Sequence, residues 1–229
     1  ANLADSALVI YLSQNVDISK QVTINKNITI TNEPDVDITI TRSANVTMFY
    51  VNSSAKLTLG TTDDNEAGTL IVDGATTVTQ TTRIVDNRAN ATFILGKNAT
   101  LQNANNNQWG SALINRGNVE LYGNVKDNTC TGAGGAILQY GGKLTVYSGS
   151  YTGNKSTRQA SGSATAGYGG AIRAEAGTVE IKDGTFSGNS SVGQGGVLWA
   201  KAGTTVIISG GTFQGNTAGD GGNIYSNVA

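Results

Sequence analysis

The chain contains no histidine, one cysteine (Cys130) and one proline (Pro34) in 229 residues. Without histidine, the commonest general base and the commonest zinc ligand are both missing. A lone cysteine excludes an internal disulfide, and Cys130 reads as a small residue at a corner of the fold rather than a reactive thiol. Charge is also scarce. Charged residues make up 14%, against a usual ~25%. The net charge of −1 predicts no broad attraction to nucleic acid or to an anionic membrane. No apolar run reaches the ~18 residues of a membrane-spanning helix, so no direct membrane insertion is expected. No N-terminal stretch reads as a signal peptide. The sequence starts inside one strand-like segment and stops just after another, which points to a piece of a larger protein. No cofactor is called for.

What the chain has in place of these is glycine, 31 residues of it, with abundant Asn, Thr and Ser. High glycine with almost no proline and no G-x-y period excludes collagen and favours many tight turns between strands. The hydrophobic share of 38% is too high for a disordered chain, and it falls at regular positions.

Those positions form a repeat. The segments GGAILQYGGKLTVYSGSYTGN from Gly134, GGAIRAEAGTVEIKDGTFSGN from Gly169 and GGVLWAKAGTTVIISGGTFQGN from Gly195 are copies of one pattern. A truncated copy, GGNIYSN, begins at Gly221, and a degenerate one, GSALINRGNVELYGNVKDN, at Gly110. The second glycine of each pair falls at Gly135, Gly170, Gly196 and Gly222, in steps of 35, 26 and 26. A period near 26 with three short strands suits one turn of a solenoid. Alternation along each strand gives apolar inward columns. Strand one contributes Leu113, Ile137, Ile172, Leu198 and Ile224; strand three contributes Val125, Tyr151, Phe186 and Phe213. Stacked ~4.8 Å apart, such columns build one continuous core. Asn128, Asn154, Asn189 and Asn216 close successive units and are predicted to form a ladder of side-chain hydrogen bonds.

The expected fold is therefore all-β: a right-handed parallel β-helix of three-strand coils, one domain over residues 1–229. The coils are irregular over residues 1–109 and regular over 110–229. Roughly eight or nine coils would give a solenoid of about 40 Å.

The paired motifs GGA[I/L/V] and FxxN carry a resemblance. They stand as GGAI at Gly134–Ile137 and Gly169–Ile172, GGVL at Gly195–Leu198, and FxxN at Phe186–Asn189 and Phe213–Asn216. Tyr151–Asn154 is a variant of the second motif. In this alternation, over about half the chain, the sequence resembles the repeats of chlamydial polymorphic membrane proteins and, more broadly, bacterial and archaeal β-helical adhesin-like proteins. The resemblance implies a pectate-lyase-like β-helix displayed at the cell surface, and adhesion. It carries over no catalytic residues.

The same fold hosts polysaccharide lyases and hydrolases, so chemistry has to be sought in residues. Glycoside hydrolysis needs convergent carboxylates, and the acids here are scattered. Asp86 with Arg88 and Arg116 is the one loose arrangement a lyase could use. Asp63, Asp64 and Glu66 cluster in TTDDNEAG, but their spacing fits neither a calcium repeat nor an EF-hand loop. The expectation is no enzyme and no metal site.

Binding has better candidates. The outward column of strand one reads Ile114, Leu138, Arg173, Trp199, Tyr225, and two residues on Arg116, Tyr140, Glu175, Lys201, Asn227. This predicts an exposed face of aromatic and cationic groups, suited to stacking on sugar rings and holding acidic groups, or to a protein contact. The corner from strand three to strand one carries the long insertions, Lys155–Tyr168 and Asn103–Trp109 among them, and these place Arg158, Tyr168 and Trp109 beside that face. Trp199, Tyr140, Tyr225, Arg173, Trp109, Tyr168 and Arg158 are thus the expected contact residues for a host or microbial glycan or a surface protein. A monomer located extracellularly, at the cell surface, is expected. Other readings are a structural stalk, a divergent lyase or hydrolase, and ice binding. The last is disfavoured because Glu120, Glu180 and Ile207 interrupt the outward threonines.

Overall fold

The computed structural model describes residues 8–63, 68–75, 81–132, 134–160 and 167–226. They form a right-handed parallel β-helix, with every strand pair parallel and, among the described residues, no helix. Each coil visits three main sheets in turn, and each sheet holds eight strands. Strand two runs from Leu8–Leu12 to Thr205–Ile208, strand three from Val16–Ile18 to Thr212–Gln214, and strand one from Val22–Ile24 to Ile224–Ser226. The irregular first half and the regular second half share these sheets without a break.

The inward columns fall in the expected register. Leu113 pairs with Ile137, Ile137 with Ile172, Ile172 with Leu198 and Leu198 with Ile224. In strand three, Tyr151, Phe186 and Phe213 stack face to face with centroids 4.6 and 4.9 Å apart. Parallel in-register pairing forces this: each ring sits one coil spacing above its neighbour, close to the spacing at which offset rings attract.

The Asn ladder runs in series. Nδ2 of Asn128, Asn154 and Asn189 donates to Oδ1 of Asn154, Asn189 and Asn216 at 3.0, 3.0 and 2.9 Å. Each Nδ2 also donates to a carbonyl of the coil below, such as Val125 O at 2.9 Å from Asn154. The amides thus satisfy backbone groups that the turn out of strand three would leave unpaired.

Past this ladder the structure adds a feature. The strand-three to strand-one corner, expected as loop, holds a fourth parallel sheet of five short strands: Asn105–Asn106, Thr129–Cys130, Lys155–Ser156, Ser190–Gln194 and Thr217–Asp220. The ladder sets the residue after each asparagine in line for stacking: Lys155 N donates to Asn128 O at 2.8 Å and Ser190 N to Asn154 O at 2.9 Å. Polar strands of two to five residues carry no readable alternation, so the sequence shows only a turn. Cys130 lies buried on one of them, its Sγ 3.1 Å from Gln108 O.

A second polar ladder lies inside the core. Asn87, Asn115 and Gln139 are buried, and Nδ2 of Asn87 and of Asn115 each donates to the next amide oxygen at 2.8 Å. They occupy the inward position that Val51 and Ala174 fill with apolar groups in other coils.

Candidate functional site

The outward column of strand one is in the expected register, with Ile114, Leu138, Arg173, Trp199 and Tyr225 on successive coils. It continues downward through Asp86 and Tyr50. Its exposure is not as expected. Leu138 is 1% exposed, and Arg173 and Trp199 are each 6% exposed. The anticipated open aromatic stripe is therefore, at Trp199 and Arg173, a covered surface.

The cover comes from the corner insertions. Tyr168 stacks on Trp199 with centroids 4.8 Å apart. Trp109 lies on the other side of Arg173, whose guanidinium carbon is 4.9 Å from the Trp109 ring, 5.2 Å from Trp199 and 5.5 Å from Tyr168. Arg173 is bonded to Glu175 through Nε at 2.7 Å, and Glu175 is 3.3 Å from Lys201. Trp199 Nε1 donates to Gln194 Oε1 at 3.1 Å. Three aromatic rings around one guanidinium form a packing cluster that takes up Tyr168, Arg173 and Trp199 and shares Trp109 with the open part of the face, and Arg173 Nη1 is buried in it without a partner.

One stretch of the face remains open. A shallow groove of about 310 Å³ is lined by Arg83, Gln108, Trp109, Ile114, Arg116, Leu138 and Tyr140. Ile114 and Leu138, stacked in register, form its apolar floor. Trp109 from the corner insertion and Tyr140 from the end of strand one line it while remaining 41% and 48% exposed. Arg116 reaches over Tyr140, 5.8 Å from its centroid.

Asp86, on the coil below, anchors the cations. Its carboxylate is 2.7 Å from Arg116 Nη1, 3.4 Å from Arg83 Nη1 and 3.8 Å from Arg88 Nη1. Arg83 Nη2 donates to Trp109 O at 3.4 Å, while its Nε is buried without a partner. Burial lowers the Arg83 pKa, with Asp86 opposing that shift. The arrangement read from sequence as a loose lyase candidate is thus one carboxylate shared by three guanidiniums.

Of the other expected contacts, Tyr225 pairs in register with Trp199 on the last coil, and its ring packs against Gly221. Arg158 lies on the corner segment, its carbonyl accepting from Gly167 N at 2.8 Å. Among the described residues no side-chain contact joins Arg158 to the groove. Residues 161–166 of its loop lie outside the described residues, as do Asp64, Glu66 and Asn227. Among the described residues no group of three or more acidic or cysteine side chains is placed to hold a metal.

Sequence reading missed Arg83 and Gln108. Gln108 adjoins Trp109, so the corner insertion held its signal. Arg83 could not be placed because its coil lacks the GGAI motif that fixes the register elsewhere.

Comparison with known proteins gives one family match. Residues 183–201 match the Chlamydia polymorphic membrane protein (Chlamydia_PMP) repeat. That segment spans the FSGN corner and GGVLWA, so one copy of the paired motif carries the likeness. No curated protein and no solved structure matches the chain.

Proposed function

We propose that this chain is a non-catalytic binding segment of an adhesin-type protein at the cell surface, with the Trp109–Tyr140 groove as its contact for a host or microbial glycan. The observation that carries this reading is the pair of half-exposed aromatic side chains lining a groove with an apolar floor of Ile114 and Leu138. Aromatic rings offer flat apolar surface to sugar rings and cost little conformational entropy to hold. The groove sits on stacked strands, which fix its geometry before any ligand arrives. The match to the polymorphic membrane protein repeat supports surface display.

Binding without turnover is supported by the lining itself, which has no carboxylate, and by the three guanidiniums that take up the nearby Asp86 carboxylate. A pair of acid and base carboxylates has no place there.

The test is a glycan array probed with the purified chain, alongside Tyr140→Ala and the double variant Trp109→Ala/Tyr140→Ala. Saturable binding that the single variant weakens and the double variant abolishes, with the far-UV β-sheet spectrum unchanged, is the expected result. Binding that survives the double variant would move the contact elsewhere. A blank array with capture of a surface protein would replace the glycan by a protein partner. A stalk, favoured by the unbroken core, predicts neither.

A further inference from the structure

The groove is cationic on a chain that is not. The net charge is −1, yet Arg83, Arg88 and Arg116 gather at the groove around Asp86 alone. One carboxylate leaves about two positive charges uncompensated there. The excess continues up the same face, where Arg173 and Lys201 share Glu175. Among these described residues five cations meet two acids. The strand-two face differs: Glu120 and Glu180 stand in one column, and Lys143 and Lys182 pair with Glu180. With Lys56, two acids there meet three cations, so the larger surplus belongs to the strand-one face.

Placement matters as much as number. Arg83 and Arg116 both line the groove and converge on Asp86 beside it. Arg116 spends one nitrogen on Asp86 at 2.7 Å, which leaves the rest of its five-donor fork for a ligand. Arg83 keeps a buried Nε with no acceptor, a donor whose desolvation is uncompensated. Against the apolar floor of Ile114 and Leu138, an anion would meet less screening than on an open surface. Guanidinium forks match the planar or tetrahedral oxygens of carboxylate and sulfate groups.

We propose that the groove selects an anionic sugar residue, a uronate or a sulfate ester, whose ring packs on Trp109 and Tyr140 while its charged group is held by Arg116 and Arg83. This rests on the glycan-binding reading above and narrows it to a ligand class. Stacking alone would accept neutral sugars, so the charge decides specificity.

The experiment compares matched probes by titration calorimetry on the intact chain: oligogalacturonate against its methyl ester, and sulfated heparin oligosaccharide against its desulfated, carboxyl-reduced form. Each is measured with Arg116→Gln and Tyr140→Ala, and with Lys143→Gln, on the strand-two face, as a control away from the groove. Expected is binding of at least one acidic probe, weakened about tenfold or more by esterification or desulfation, by Arg116→Gln and by added salt. Which acidic probe binds separates the carboxylate from the sulfate. Lys143→Gln should change affinity little, and the thermal midpoint of Arg116→Gln should confirm a folded protein. Equal binding of charged and neutral partners would overturn charge selection and leave the glycan groove standing. No binding of any probe would overturn both. Acid binding unchanged in both Arg116→Gln and Tyr140→Ala would place the anion site elsewhere and overturn the proposal.

Discussion

Tyr168 and Trp199 lie face to face, their rings 4.8 Å apart and 12° from parallel, although one comes from the corner insertion and the other from strand one. The stack ties the corner to the sheet and turns an outward tryptophan into a packing residue. Removing it should act on stability first. Trp199→Ala is expected to cost about 3–5 kcal/mol, as for a buried aromatic, in denaturant unfolding. Tyr140→Ala, at a half-exposed position, should stay within about 0.5 kcal/mol. Ligand binding should show the reverse order, with Tyr140→Ala the more damaging in protein that remains folded. Similar stability losses in the two variants would contradict this division between packing and contact.

The GGA motif has a steric origin that suggests a second experiment. Gly169 has φ +62°, in the left-handed region, and Gly170 lies where a Cβ would come 2.2 Å from Gly196 O and 2.6 Å from Ser190 O. Both obstacles are backbone of the stacking coil and cannot step aside. Gly170→Ala should therefore destabilise by roughly 3 kcal/mol, the upper range for overpacking. At Gly188, φ is +61° but no atom lies within 4 Å of the added Cβ, so alanine there should cost only about 1 kcal/mol, the left-handed penalty. Equal costs would mean that the coil contact is not what selects the second glycine of the pair.

These relationships show which parts of the fold a sequence can display. The inward columns were legible because Leu113, Ile137, Ile172, Leu198 and Ile224 repeat like residues at like places. The register of the outward column followed from the same alternation. Its burial did not, because alternation says which way Trp199 points and nothing about what lies on top of it. The covering residues Tyr168 and Trp109 come from insertions that belong to no repeat. Likewise Asn87, Asn115 and Gln139 replace apolar groups at inward positions, where a hydrophobic pattern shows only a gap. A polar ladder in a core becomes visible once the coils are stacked and the amides meet.

Glu180 offers a test in the pH domain. It hydrogen-bonds with Lys143, whose Nζ is 2.6 Å away, and this contact lowers the Glu180 pKa and raises that of Lys143. A depressed carboxylate favours the folded state above its unfolded value and loses that contribution as pH falls through the folded value. The raised lysine contributes below its unfolded value and loses its share as pH rises through the folded one. Lys143 is half-exposed and Glu180 only partly covered, so solvent screens the pair and NMR titration is a better readout than global stability. The Glu180 carboxyl resonance should titrate below the usual carboxylate range, and in Lys143→Gln its midpoint should move up. An unmoved midpoint would show that the pair is not maintained in solution.

Asn154 holds the middle of the corner ladder and is the sharpest probe of coil stacking. Its Nδ2 donates to Val125 O and to Asn189 Oδ1, and its Oδ1 accepts from the backbone N and the Nδ2 of Asn128. Replacing it with alanine strands several buried partners at once, each costing about 1–3 kcal/mol when no water can replace the bond. Asn154→Ala should therefore lower the unfolding free energy by roughly 3 kcal/mol or more. Asn216→Ala, in a coil where the ladder is half-exposed, should cost clearly less, because water can reach its partners. Hydrogen exchange supplies the local readout. The Asn128 amide relies on Asn154 Oδ1 at 3.2 Å, so its exchange should accelerate in Asn154→Ala ahead of strand-two amides such as Val146. Uniform acceleration along the solenoid would mean that the coils unfold as a single unit and that the ladder stabilises the whole stack rather than its own corner.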